Sequence, residues 1–130
     1  MLIADPDEYL ADSYRGHLQR EGFEVDIAAD GLDCLAKLRT FVPDVLVLEP
    51  VMPWGGGDGV LAMMHEEADL PLPSVVILTR GCSPAVLYSI APYGIADYQI
   101  KPLPARRLAE RIRRILSSHG VCQTGRERGK

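Results

Sequence analysis

The sequence predicts an α/β domain: a doubly wound five-stranded parallel sheet with about five helices. Three observations predict it. Short runs rich in Val, Ile and Leu recur five times along the chain, and each is followed by a segment whose apolar residues repeat every three to four positions. A chain of 130 residues with 47% hydrophobic and 25% charged content has the size and balance of one domain with a single core. Parallel neighbours require crossovers, which helices supply in right-handed sense on both faces of the sheet.

The elements follow in order. Met1 to Ala4 reads as the first strand, and roughly Glu8 to Glu21 as a helix, with Leu10, Tyr14, His17 and Leu18 on one stripe. Phe23 to Ala29 reads as the second strand, and Leu32 to Phe41 as a helix through Leu35, Leu38 and Phe41. Val45 to Leu48, Ser74 to Leu78 and Tyr98 to Ile100 complete the strands, with helices over roughly Gly59 to Glu67 and Pro84 to Pro92 between them. The last helix, roughly Pro104 to Ser118, carries Leu108, Ile112 and Leu116 on one face, with Arg106, Arg107, Arg111, Arg113 and Arg114 largely off it. Gly22, Gly31, Gly94 and Gly120 punctuate the boundaries. The domain is expected over residues 1–118, with 119–130 a disordered tail or the start of a linker.

Charge narrows the function classes. A net charge of -4 gives no electrostatic basis for direct nucleic acid binding by the domain. The charge is unevenly placed: residues 1 to 100 hold five basic and sixteen acidic side chains, whereas from Lys101 onward nine Lys/Arg face only Glu110 and Glu127. Cys34, Cys82 and Cys122 are widely spaced and lack the close pairs of a zinc or redox motif, so they read as reduced thiols. No run approaches the roughly 18 apolar residues of a membrane span, and the opening residues read as a strand rather than a signal peptide, so a cytoplasmic protein is expected. His17, His65 and His119 fall on different predicted helices or their ends, which gives little support for a shared histidine site.

Open parallel sheets bind ligands at the carboxyl ends of their strands, and Asp5, Glu49, Thr79 and Lys101 all fall at that edge. The segments around them are LIADPDE (residues 2 to 8), EPVMP (49 to 53), ILTR (77 to 80) and YQIKP (98 to 102). Their separations are 44, 30 and 22 residues from Asp5 to Glu49 to Thr79 to Lys101. In that order and at those intervals the motifs resemble the receiver domain of two-component response regulators, over roughly residues 1 to 118.

The resemblance implies a flavodoxin-like fold and a switch chemistry. In such domains an aspartate takes a phosphoryl group from a histidine kinase, Mg2+ held by neighbouring carboxylates shields the charge, and a lysine and a hydroxyl bind the phosphoryl oxygens. Asp5 matches the first acid, Thr79 the hydroxyl, Lys101 the lysine and Tyr98 the aromatic switch. Two positions depart. Pro6 stands where the second, metal-binding acid is expected, and Glu49 where the acceptor Asp is expected. One added methylene moves a carboxylate by roughly 1.5 Å, a displacement that can cost about a hundredfold in rate.

These departures define a degenerate, pseudo-receiver expectation: no enzyme activity, no cofactor, and Mg2+ only through the weak pair Asp5 and Glu49. Glu49 either forms a static salt bridge with Lys101 and Arg80, or mimics the phosphorylated state by engaging Lys101 and Thr79 and biasing Tyr98 inward. Arg80, where a small residue is expected, either pairs with Glu49 or Asp5 or points to solvent. Trp54, in the lengthened loop PWGGGDG, either lids the site, contacts a partner, or anchors the loop by partial burial, the last being preferred; the glycines are expected to supply flexibility.

The resemblance also implies a protein partner, a histidine kinase or a downstream regulator, or a homodimer, through the fourth helix, fifth strand and fifth helix. Arg106, Arg107, Arg111 and Arg114 are the candidate contacts. Two other functions remain in view. One is a phosphorylatable receiver that uses Glu49 or Asp5 as a poor acceptor with Mg2+, and the other is a flavodoxin-like small-ligand binder.

Overall fold

The computed structural model describes residues 1–120. Five strands, β1 (Leu2–Ala4), β2 (Asp26–Ala28), β3 (Val45–Leu48), β4 (Ser74–Thr79) and β5 (Asp97–Ile100), form one parallel sheet in the order β2-β1-β3-β4-β5. The connecting helices are α1 (Glu8–Arg20), α2 (Gly31–Leu38), α3 (Gly56–Glu66), α4 (Pro84–Ile90) and α5 (Ala105–Gly120), with a 3-10 turn at Ala91–Tyr93. The doubly wound α/β expectation holds.

Burial explains the topology. The central strands β1 and β3 are buried on both faces and therefore read as continuous apolar runs, LIA and VLVL. One face packs against α1 and α5 through Ile3, Val47, Val76, Leu78, Leu108 and Ile112. The other packs against α2, α3 and α4 through Leu46, Leu48, Leu61, Met64, Ile77 and Ile90. By contrast β5 is an edge strand whose residues alternate between half-buried and exposed, and α4 buries only Ile90.

Local chemistry sets the helix starts. Asp7, Asp30 and Ser83 cap α1, α2 and α4, each accepting a backbone N–H from the first turn. α3 begins three residues earlier than the helical pattern predicts. Low glycine propensity makes residues 55 to 57 read as loop, but close approach outweighs propensity here. The Gly57 N–H donates to the Pro50 carbonyl at 2.8 Å, and a Cβ on Gly57 would lie 2.6 Å from Pro50 Cα. The glycines therefore meet a steric and conformational requirement, with Gly55 at φ 104° and Gly56 at φ 58°, instead of the expected flexibility.

β2 starts at Asp26 instead of Phe23, because residues 21 to 23 are used to close the end of α1, with the Phe23 N–H donating to Leu18 O. α5 continues to Gly120, past the expected boundary at 118. Residues 121–130, most of the expected tail, lie outside the described residues.

Two outcomes follow from this packing. Gly31 at the start of α2 lies under the backbone of Trp54, where a Cβ would fall 2.2 Å from the Trp54 carbonyl oxygen, whereas a Cβ on Gly59 meets nothing within 4 Å. Gly31→Ala should lower unfolding free energy by about 1–3 kcal/mol, and Gly59→Ala should be neutral or stabilising by up to about 1 kcal/mol; urea unfolding of the two, with equal losses, would contradict the packing. Burial in the core pushes the Cys34 thiol up to about 12. An unfolded thiol ionises near 9.0, so the unfolded state releases its proton first, and stability present below that pH should decline between it and about 12. Replacing Cys34 with Ala should flatten that part of the alkaline unfolding profile.

Candidate functional site

The parallel register brings four polar residues to one edge. Ala4 pairs with Leu48, Leu48 with Ile77, and Thr79 with Ile100, so the residues that follow β1, β3 and β5 and the last residue of β4 share the carboxyl end of the sheet. Backbone bonds continue the ladder one step, from Glu49 N to Ala4 O at 2.9 Å and from Lys101 N to Thr79 O at 2.8 Å. Asp5, Glu49, Thr79 and Lys101 are the described residues that are both polar or charged and buried.

Lys101 organises the group. Its Nζ donates to Asp5 Oδ2 at 2.7 Å and to Glu49 Oε1 at 3.1 Å. The remaining oxygens are also engaged: Asp5 Oδ1 accepts the Asp7 N–H at 2.8 Å, and Glu49 Oε2 accepts the Val51 N–H at 3.1 Å. Every carboxylate oxygen in the cluster thus has a donor, which is the condition for burying such charges. The expected Glu49–Lys101 contact is present. The Thr79 hydroxyl, however, accepts the Gly81 N–H at 3.1 Å instead of engaging Glu49, and Tyr98 is 46% exposed. The Lys101 contact common to both alternatives is present, and the Glu49–Thr79 contact that mimicry adds is not.

At the rim the structure turns Arg80 toward solvent, one of its two expected positions, and corrects the expectation for Trp54. Arg80 pairs with neither Glu49 nor Asp5; its Nη2 donates to Asp7 Oδ2 at 3.2 Å, because Asp7, at the mouth as the α1 cap, presents its second oxygen outward. Trp54 is not a partly buried anchor. Its side chain is 69% exposed at φ 57°, and the anchoring is done by backbone, with the Gly31 N–H donating to Pro53 O at 3.2 Å. His17 is half-buried and pairs with Glu21.

Sequence reasoning missed Tyr14, which it placed only on an apolar stripe. Tyr14 Oη donates to Leu103 O at 2.7 Å and so ties α1 to the loop carrying Lys101 and the cis Lys101–Pro102 bond. Burial, then the charge of Asp5, raise its phenol above the usual range, against the Leu103 hydrogen bond. A tyrosine on a buried stripe is the available signal, since its hydroxyl needs a partner. At the mouth, burial and then the charge of Glu49 push the Cys82 thiol up, which makes it a poor nucleophile.

The donor set fits a divalent cation poorly. Mg2+ demands several hard oxygens in octahedral array, yet Asp5 and Glu49 are both held by an ammonium, and Pro6 brings no side-chain oxygen. Among the described residues no three His, Cys, Asp or Glu side chains group as metal ligands. Two carboxylates against one ammonium leave the cluster one negative charge, to which the Asp7–Arg80 pair adds nothing net.

This edge, on this sheet order, is where open parallel sheets place their ligand sites. A family model described as the response regulator receiver domain matches residues 1–113, and the chain belongs to that family. It is similar to the sensory transduction protein RegX3 of Mycolicibacterium smegmatis, at 31% identity over 116 residues, covering 89% of this chain and 50% of the relative. It is also similar to the DNA-binding response regulator MtrA of Mycolicibacterium paratuberculosis, at 27% identity over 113 residues, covering 87% and 49%. The chain therefore spans about half the length of the curated relatives it matches. A CheY-like response regulator receiver domain protein from Methanospirillum hungatei superposes with a TM-score of 0.81 at 27% identity, covering 90% of this chain and 92% of that one. No described helix is long and apolar enough to cross a membrane.

The network carries its own test. Lys101→Met should cost about 3–5 kcal/mol, because it leaves two buried carboxylates without their cation, whereas Arg80→Ala should cost no more than about 1 kcal/mol at an exposed pair. Adding Glu49→Gln to Lys101→Met should restore part of the loss, and strictly additive losses in urea unfolding would separate Glu49 from Lys101 energetically.

Proposed function

We propose that this receiver domain acts as a phosphorylation-independent interaction or regulatory module in two-component signalling. The observation that carries the reading is the closed Asp5–Lys101–Glu49 cluster. Glu49 occupies the acceptor position in this reading, at the carboxyl end of β3, with both oxygens already bonded. Attack on a phosphoryl donor would require its release from Lys101 and a cation to replace that ammonium, and Pro6 supplies no ligand for one. The domain is then a non-catalytic switch frozen in one charge state, in the cytoplasm with the rest of its signalling chain.

Output in this reading comes from a standing surface. Tyr98, Leu87, Tyr88 and Ile100 are exposed on α4 and β5, and Arg106, Arg107, Arg111 and Arg114 are exposed on α5. Arg111 Nε lies 3.8 Å from Asp97 Oδ2, which sets the basic helix alongside the edge strand. A partner protein, whether a histidine kinase, a downstream regulator or a second receiver, would meet this face whether or not a phosphoryl group is present.

Intact mass after incubation with a small phosphodonor and Mg2+ tests the reading. The natural chain should gain no phosphoryl adduct, while the Pro6→Asp, Glu49→Asp revertant should gain one. An adduct of about equal yield on both would return Glu49 or Asp5 to the role of acceptor.

A further inference from the structure

Two surface features, one on the loop between β3 and α3 and one at the β4–β5 side, match each other. On that loop the backbone of Trp54 rests on Gly31 of α2 while its indole stands out beside Leu32, itself exposed. Its neighbours are acidic. Asp30 and Asp33 occupy the start of α2, Asp33 being paired with Lys37 at 3.6 Å, and Asp58 occupies the start of α3, its Oδ1 2.8 Å from where a Gly56 Cβ would be. Among the described residues Asp58 makes no ion pair. At the β4–β5 side lies a cleft of about 600 Å³ between α4 and β5, walled by Leu87, Tyr88, Tyr98 and Ile100 and almost wholly apolar. The arginine face of α5 runs beside it.

One surface thus offers an apolar knob with Asp30 and Asp58 near it, and the other an apolar hole with the basic helix α5 on the far side of β5. We propose that the occupant of the cleft is Trp54 of a second copy of this chain, giving a head-to-tail contact. Burial of an indole supplies apolar area at low entropy cost, and the opposed charges fix orientation and exclude the reversed, like-charged approach. Trp54 follows the central strand β3 and does not line the cleft between α4 and the edge strand β5 of its own chain, so the occupant must come from another copy. Such a contact is heterologous: within a pair one copy keeps a free hole and the other a free knob, and association continues into a ring or open chain instead of stopping at a symmetric pair. The proposal uses the contact face of the preceding section but not its phosphorylation independence. It differs in predicting Trp54, which lies outside that face, as the other half.

Sedimentation velocity and tryptophan emission over a series of protein concentrations test this, since Trp54 is the single tryptophan. The natural chain should sediment faster and its emission should shift blue as concentration rises, with both effects reduced by salt. Trp54→Gly, which suits the positive φ, and Ile100→Glu, which places an acid in the cleft wall at an exposed position, should each remain monomeric. Mixed together they should form a one-to-one pair and nothing larger, because each retains the half that the other lacks. A monomeric natural chain at every concentration overturns the proposal. Self-association that survives Trp54→Gly overturns it too, in favour of a symmetric α4–β5–α5 contact, as does failure of the two variants to pair.

Discussion

The ammonium of Lys101, 2.7 Å from Asp5 and 3.1 Å from Glu49, is the interaction on which this edge of the molecule depends. Removing two carboxylates and an ammonium from water is costly, and the cluster persists because each charged oxygen has a donor and the cation lies between the anions. The fold makes this arrangement nearly unavoidable. Three apolar strands in register end side by side, so whatever follows them converges. Tyr14 then fixes the third arm, because its bond to Leu103 O holds the loop that carries Lys101 against α1. The site is thus over-determined from the α1 side and from the centre of the sheet.

It is far less constrained on the other flank. The strands β1 and β3 are entirely buried, while β5 is half-exposed and α4 rests on Ile90 alone. Elements with few buried apolar contacts open at low free energy, and they are the ones that move in switches. Thr79 stands at the junction. Its hydroxyl belongs to the rigid strand β4 but is satisfied by Gly81 on the way into α4, so it has no bond with Glu49 through which the charge cluster could act on Tyr98. The rigid charge cluster and the soft apolar cleft are neighbours without a hydrogen bond from Glu49 to Thr79 to couple them.

Most of this was legible because it rests on period and order. The strand runs, the helical stripes and the four residues at the strand ends need only the alternation of β and α to be placed. The misses share a different cause. Glycine's low helix propensity argued against an early start for α3, yet Gly57 is helical because nothing larger clears Pro50. Arg80 found Asp7 because a cap residue has a second oxygen to offer, which no pattern at Arg80 encodes. Tyr14 was visible as a core residue but not as an anchor, because its partner is a backbone carbonyl 89 positions away in the chain.

The exposure of Trp54 has a physical cause in the same close contacts. Its carbonyl is pinned over Gly31, and Gly57 is pinned on Pro50, so the two residues between, Gly55 and Gly56, turn with positive φ and carry Trp54 into the same region at 57°. A bulky residue there carries strain of order 1–3 kcal/mol, and such strain persists only where the surroundings over-determine it. The backbone contacts do so, and they hold the indole at the rim of an apolar groove of about 320 Å³ between α2 and α3, lined by Leu32, Leu35, Val60 and Met63, and leave it 69% exposed. A loop that needed only to close could have placed Gly or Asn at position 54 and relieved the strain. A large apolar side chain held at a strained, exposed position is the feature that the proposed contact with a second copy would bury.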